Sequence, residues 1–247
     1  PSEAYAAVRW ALKLGYTHFD CAAIYNNEEA IGQAFADAMA EDGLKREDIF
    51  VTSKLWNNAH RAEDVAPALQ EMLTRLKLEY LDLFLMHWPV AQKKEALMPL
   101  TADDMLPLSE APIADTWQAM EELYKEGKAK AIGVSNFGPD RYLDLERFAE
   151  IKPAVNQVET HVFQQQKVAC EYLKKYGCQI GSWGQFAEGR KDMFTNPVLT
   201  EIGAKYGKTA TQTALRFLMQ SGVVIIPKST HKDRMQQNFD LFDFTLT

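Results

Sequence analysis

The sequence predicts a parallel α/β barrel, and three features of the 247-residue chain point to it. Segments with apolar residues at helical spacing alternate with short runs of β-branched and aromatic residues, a pattern typical of parallel sheets. Glycine follows a lysine-bearing helix end at several junctions. Polar side chains end several of the short runs, and in a barrel such positions all face one rim. Barrels of this length form one domain, so we expect a single domain over residues 1–247.

The first three predicted helices carry clear apolar stripes, which indicate faces that pack on a sheet. They cover residues 4–14, 27–40 and 61–77. Seven strands are predicted between and after them, near residues 18–22, 49–54, 80–86, 130–135, 154–158, 179–183 and 223–227. Closing such a barrel needs eight strands. An exposed parallel edge hinders folding and solubility, so we interpret the chain as trimmed at its ends rather than as a working seven-stranded barrel.

The charge and apolar content of the chain argue against several classes of protein. Acidic residues outnumber basic ones, 34 against 27, and the pI is about 5.3. This balance argues against binding to nucleic acid or to an anionic membrane, since both need a basic face. No apolar stretch approaches the roughly 20 residues of a membrane span, and no signal-like start is seen. We therefore expect a cytoplasmic protein. The cysteine and histidine spacings predict no metal site.

Four polar residues lie at or just beyond predicted strand ends. Asp20 and Tyr25 lie in GYTHFDCAAIYNNE, Lys54 in VTSKLW and His87 in LFLMHWP. Each has an ordinary structural explanation: a hydrogen-bonded histidine, a surface ion pair or a packed tyrosine. Their combination and order indicate one active site instead.

With these motifs the chain resembles the aldo-keto reductase superfamily, whose catalytic tetrad would fall on those four residues. Further matches are GVSNF, VNQVE and IIPKSTHKDRMQQN, in the family's order. QFAEGRKDMF is similar to the bacterial branch that includes diketogluconate and methylglyoxal reductases. The resemblance also implies that an N-terminal hairpin with the first strand, and a C-terminal helix and loop, are missing from the chain.

The resemblance implies a carbonyl reductase in which a hydride adds to an aldehyde or ketone and the forming alkoxide takes up a proton. Tyr25 is the expected general acid, because an ammonium at Lys54 would stabilise its phenolate. Asp20 would orient Lys54. A neutral His87 would donate an N–H to the substrate oxygen. Trp56 and Trp88 would shape the pocket for a small-molecule carbonyl substrate.

A nicotinamide cofactor is implied by the remaining motifs. Ser135, Asn136 and Gln157 would hold its amide, and Trp183 takes the place of a tyrosine that stacks on its ring in many relatives. The adenine would meet Gln237 and Asn238. Two cations and a hydroxyl, at Lys228, Ser229 and Arg234, can surround a phosphate monoester, which favours NADPH over NADH.

Other interpretations remain open. Some barrels of this family sense the cofactor as subunits of a membrane channel and turn over slowly, and a trimmed chain would bind NADPH poorly and be unable to turn over. No G-x-G-x-x-G follows a strand, and GVSNF lacks the last glycine of a nucleophile elbow, so a doubly wound fold and a serine hydrolase are disfavoured. The segment over residues 89–114 is predicted to be irregular and to line the substrate pocket. We expect a monomer.

Overall fold

A computed structural model describes residues 2–190 and 192–247. The chain divides into two compact units. The first contains Thr17–Asn156 together with the start of the first helix, and the second contains Trp10–Tyr16 and Gln157–Thr247. No helix within the described ranges is long and apolar enough to cross a membrane.

The first unit alternates helices with parallel strands. Its elements in chain order are α1 (Ser2–Leu14, which runs on into the second unit), β1 (His18–Asp20), α2 (Glu28–Glu41), β2 (Phe50–Leu55), α3 (Ala62–Leu76), β3 (Leu83–Met86), β4 (Ala91–Gln92), β5 (Met105–Leu106), α4 (Ile113–Lys125), β6 (Ile132–Ser135) and α5 (Pro139–Phe148). The strand β7 (Val155–Glu159) contains the boundary between the units.

Four strands of the first unit form a parallel ladder in the order β1, β2, β3, β6. The strands β2, β3 and β6 are almost wholly buried, as expected for a parallel sheet covered by helices. The amphipathic α3 buries its stripe of Val65, Leu69, Met72, Leu73 and Leu76. Trp117 of α4 is fully buried, and its indole N–H donates to the Ile151 carbonyl at 3.0 Å.

Residues 89–114 are more ordered than predicted. The two-residue strands β4 and β5 pair antiparallel, Ala91 with Leu106 and Gln92 with Met105. A short 3-10 turn at Ala102–Asp104 precedes β5, and the Asp104 carboxylate accepts the Leu100 and Thr101 amides. The expectation of a wholly irregular segment was therefore wrong.

The second unit contains α6 (Lys167–Lys175), β8 (Gln179–Trp183), α7 (Pro197–Ala204), α8 (Ala210–Gln220), β9 (Val224–Ile225) and α9 (Lys232–Phe239). The strands β8 and β9 pair in parallel through Gly181 with Val224 and Ser182 with Ile225. Its core includes Leu215, Leu241 and Phe244, which form one apolar cluster.

All seven predicted strands are confirmed, with shorter ends in several cases. The last was expected over residues 223–227 and extends only over Val224–Ile225. Pro227 has no N–H to donate to a ladder, so pairing does not continue through it. Gly127 and Gly177 follow α4 and α6 with φ of 77° and 71°, the left-handed conformation that ends a helix.

Candidate active site

The strand register explains how residues far apart in sequence share one face. Asp20 pairs with Thr52, and Lys54 lies two residues further along β2, on the same face of the pleat. Lys54 pairs with Leu85, and His87 follows Leu85 by two residues. The period of two therefore places Asp20, Lys54 and His87 towards one side of the ladder, near its carboxyl end.

Lys54 is the centre of this group. Its side chain is fully buried, and its ammonium donates to three acceptors: the Asp20 carboxylate at 2.5 Å, the Cys21 carbonyl at 2.9 Å and the Tyr25 hydroxyl at 3.4 Å. These three bonds match the three donors of an ammonium. The Cys21 carbonyl was not identified from the sequence, because a backbone acceptor carries no side-chain signal.

The charge on Lys54 is retained despite burial. Burial opposes the charged form, but the Asp20 carboxylate beside it, with Tyr25, holds the pKa of Lys54 above its ordinary value. A buried ammonium is costly unless it is paired and hydrogen-bonded. Such a group beside an accessible tyrosine marks a candidate functional site.

Tyr25 presents its hydroxyl next to that charge. It ends a short 3-10 turn over Ala23–Tyr25 and is 49% exposed, so a small molecule can reach it. Because its oxygen accepts from Lys54, the phenolic O–H remains available to another acceptor. This arrangement suits a proton donor whose conjugate anion would lie against an ammonium.

His87 is held in its neutral form. Burial lowers its pKa to about 3, helped by the charges of Lys54 and His60. Its Nδ1 is buried and meets no hydrogen-bond partner among residues 2–190 and 192–247. An orphaned acceptor is less costly than an orphaned N–H, so the proton is placed best on Nε2. A neutral imidazole of this kind can donate one hydrogen bond to a substrate oxygen.

Aromatic rings surround His87. The rings of Tyr25 and Trp56 lie edge-on to it, with centroids 6.0 Å and 5.2 Å away, and the ring of Trp88 stacks at 6.4 Å. Trp88 is 38% exposed. The structure thus brings both predicted pocket tryptophans to the predicted catalytic histidine.

Ser135 and Asn136 follow β6 in the same unit. Ser135 lies two residues beyond Gly133, which pairs with Leu85, so it shares the face of His87. Asn136 adopts a left-handed φ of 60°, and its side-chain amide donates to the His87 carbonyl at 2.9 Å. This bond fixes the backbone that carries the histidine.

The other predicted cofactor residues belong to the second unit. Gln157 is buried in β7, and Trp183 ends β8. Ser229 precedes α9, and its hydroxyl accepts the His231 amide at 3.1 Å. Lys228 and Arg234 are exposed, and neither forms an ion pair within the described part of the chain. Gln237 is half-buried in α9, and Asn238 is buried beside it.

Comparisons with known proteins agree with the motifs. The aldo/keto reductase family model matches residues 1–247. Aldose reductase B of Dictyostelium discoideum is 42% identical over 98% of this chain and 79% of its own length. Glyoxal reductase of Bacillus subtilis is 42% identical over 100% of this chain and 80% of its own length.

Solved structures give the same result for the fold. Aldose reductase from Schistosoma japonicum superposes with a TM-score of 0.94 at 39% identity, covering 100% of this chain and 81% of that one. The Bombyx mori aldo-keto reductase in complex with NADP gives a TM-score of 0.90 at 38% identity, covering 100% and 80%. These similarities confirm the predicted (β/α)8 barrel class. On the family match, the sequence identities and the fold together, the chain belongs to the aldo-keto reductase family.

Proposed function

We propose that this chain is an NADPH-dependent oxidoreductase that reduces aldehyde or ketone carbonyls to alcohols, with Tyr25 as the general acid. The observation that carries the proposal is the donation from the buried Lys54 ammonium, fixed by Asp20, to the Tyr25 hydroxyl. Relatives named as aldose and glyoxal reductases, and a similar structure in complex with NADP, support the reaction class.

The side chains of Tyr25, Lys54 and His87 account for the proton and the charges in this reaction. A reduced nicotinamide, when bound, would supply the hydride that adds to the carbonyl carbon. The carbonyl π electrons move to oxygen, and that oxygen takes the phenolic proton of Tyr25. Lys54 stabilises the phenolate that remains, while His87 Nε2–H hydrogen-bonds to the same oxygen and orients it. Proton uptake from solvent then restores Tyr25, which its exposure allows.

The predicted cofactor residues offer groups suited to each part of the dinucleotide. Ser135, Asn136 and Gln157 offer hydroxyl and amide groups suited to a carboxamide, and Trp183 offers a ring for the nicotinamide. The exposed cations Lys228 and Arg234, with Ser229 between them in sequence, are suited to a 2′-phosphate, which favours NADPH over NADH. Gln237 and Asn238 would meet the adenine.

We also propose that the chain acts as a single barrel domain, as a monomer, in the cytoplasm. The family model over residues 1–247 supports one domain. The acidic composition, with a net charge of −7, disfavours nucleic-acid partners. Sedimentation or size exclusion at micromolar concentration tests the monomer directly.

The test of function follows NADPH oxidation with methylglyoxal, glyceraldehyde and 4-nitrobenzaldehyde. We expect turnover in the wild type and a loss of at least about 10²-fold in kcat for Tyr25→Phe, since general acids contribute about 10²–10⁴-fold. Tyr124→Phe, at an exposed tyrosine of α4, is the matched control and should keep full activity. NADPH affinity is measured in parallel.

Either of two results would contradict the proposal. Equal turnover in Tyr25→Phe and Tyr124→Phe would remove Tyr25 as the acid. Tight NADPH binding without turnover of any carbonyl would favour a cofactor-sensing barrel.

A further inference from the structure

Two buried amides lie beside Trp56 and take no part in the catalytic contacts described above. Asn57, which follows β2, is 5% exposed, and Gln92 in β4 is 2% exposed. The Asn57 Nδ2 donates to the Gln92 Oε1 at 3.0 Å. A buried amide left without a hydrogen-bond partner is unfavourable, so this bond favours one orientation of the Gln92 side chain.

The other end of Gln92 points to the backbone of the segment that joins β4 to β5. Its Nε2 donates to the carbonyls of Ala96 at 2.8 Å and Leu97 at 3.3 Å. The Leu97 carbonyl also accepts the Trp56 indole N–H at 2.7 Å. The Leu97 side chain is 58% exposed, so hydrogen bonds rather than side-chain packing hold this backbone in place.

One carbonyl therefore connects the buried amide to the aromatic wall. Trp56 in turn lies edge-on to the His87 ring, at 5.2 Å between centroids and 79° between planes. We propose that Gln92 is a positioning residue that holds Trp56 against His87 through the Leu97 carbonyl, and so sets the selectivity among carbonyl substrates. This inference rests on the proposed reductase function.

The hydrogen bonds of Gln92 are expected to affect substrate selectivity rather than the chemical step. The bonds of Lys54 to Asp20, Cys21 and Tyr25 include no atom of this network. A compact dicarbonyl needs only Tyr25 and His87, whereas an aromatic aldehyde needs a ring wall in a fixed position. Loss of Gln92 should therefore raise KM for aromatic substrates and leave kcat nearly unchanged.

Two variants separate the effect of the Gln92 hydrogen bonds from the effect of its side-chain size. Gln92→Met keeps the length of the side chain and removes the amide. Gln92→Glu keeps an acceptor for Asn57 and, when ionised, cannot donate to the Ala96 and Leu97 carbonyls. Gln118→Met, at an exposed glutamine of α4, is the matched control.

A spectroscopic measurement tests the anchor without any turnover. The Trp56 indole resonance is assigned in a ¹⁵N–¹H spectrum through Trp56→Phe. In Gln92→Met and Gln92→Glu we expect this resonance to move and its solvent exchange to accelerate at least about fivefold, while Gln118→Met matches the wild type. An unchanged Trp56 resonance in a folded Gln92 variant would overturn the positioning role.

Kinetics test the selectivity. For 4-nitrobenzaldehyde we expect KM to rise about tenfold in both Gln92 variants, with less than a twofold change for methylglyoxal. Equal losses with both substrates would overturn the proposal, because they would reflect general damage. A wild-type chain that reduces no carbonyl would overturn the reductase function and the selectivity claim, while the indole resonance would still decide whether Gln92 anchors Trp56.

Discussion

Two buried histidines make the stability of the chain depend on pH. Burial lowers the pKa of His60 to about 4 and, with the charge of Lys54, that of His87 to about 3. The unfolded chain binds protons at these groups below about pH 6.5, whereas the folded chain does not. The folded state is therefore fully favoured above pH 6.5 and loses stability as the pH falls towards 4.

A substitution isolates the contribution of His60. Between pH 7.5 and pH 5.0, one such histidine should cost about 2 kcal/mol of unfolding free energy. We expect His60→Gln to reduce the pH dependence by about that amount, measured by urea unfolding at both values. Gln118→Met should show the wild-type dependence, and a His60→Gln chain with an unchanged slope would refute the assignment.

Residue identities were the easiest part of the site to predict. Asp20, Tyr25, Lys54 and His87 were predicted from their motifs, and the strand register explains why three of them share a face. The acceptor at the Cys21 carbonyl and the amide pair of Asn57 and Gln92 could not be predicted, since they depend on backbone geometry and on a two-residue strand.

Among the elements, α2 and α3 approach so closely that no side chain fits at Gly32. A Cβ at Gly32 would lie 2.6 Å from the Leu76 carbonyl carbon and closer still to the Arg75 carbonyl oxygen. Both neighbours are backbone atoms, so neither can rotate away. The glycine is therefore required by the approach of the two helices.

This contact decides between two opposing effects of Gly32→Ala. Helix propensity alone favours alanine by about 1 kcal/mol, whereas overpacking a close contact costs about 1–3 kcal/mol and occasionally more. Since backbone must move, we expect Gly32→Ala to lose about 2 kcal/mol of unfolding free energy in chemical denaturation. The control variant Ala40→Gly, at an exposed position of α2, reports helix propensity alone. A stabilised Gly32→Ala would show that the helices can separate without cost.

Elements were predicted unevenly for a physical reason. A buried strand such as β3 shows a continuous apolar run, and amphipathic helices such as α3 show a clear stripe. The pair of β4 and β5 spans two residues per strand, which is too short for any period to appear. Its pairing depends on the turn that Asp104 caps rather than on a pattern of hydrophobicity.

For the whole molecule, cofactor binding should appear as added stability. A ligand that binds only the folded state raises the free energy of unfolding by mass action. We expect NADPH to raise the thermal midpoint more than equimolar NADH does. Arg234→Gln should weaken NADPH binding about tenfold, which is about 1.4 kcal/mol, and leave NADH unchanged.

The control variant for Arg234→Gln is Lys232→Gln, which removes an exposed cation at the start of α9. It should preserve the difference between NADPH and NADH in the same thermal assay. If Arg234→Gln weakened the binding of NADPH and NADH equally, the Arg234 guanidinium would not contact the 2′-phosphate.

The barrel class followed from the alternation of helices and strands and from the polar residues at strand ends, and the similar structures confirm it. The division into two compact units was not predicted, because the composition does not shift and no linker separates Asn156 from Gln157. Both residues lie in one strand, and a boundary inside a strand leaves no sequence signal.

The complete burial of Lys54 also has a practical side for handling the protein. Acylating reagents attack exposed, deprotonated amines, and the Lys54 amine is inaccessible and held in its charged form. Coupling the protein to an activated resin should therefore consume surface lysines and spare Lys54. Lys228 is exposed and would react. On the proposed role of Lys228 at the 2′-phosphate, saturating NADPH during coupling should protect it and yield an immobilised enzyme that keeps its cofactor affinity.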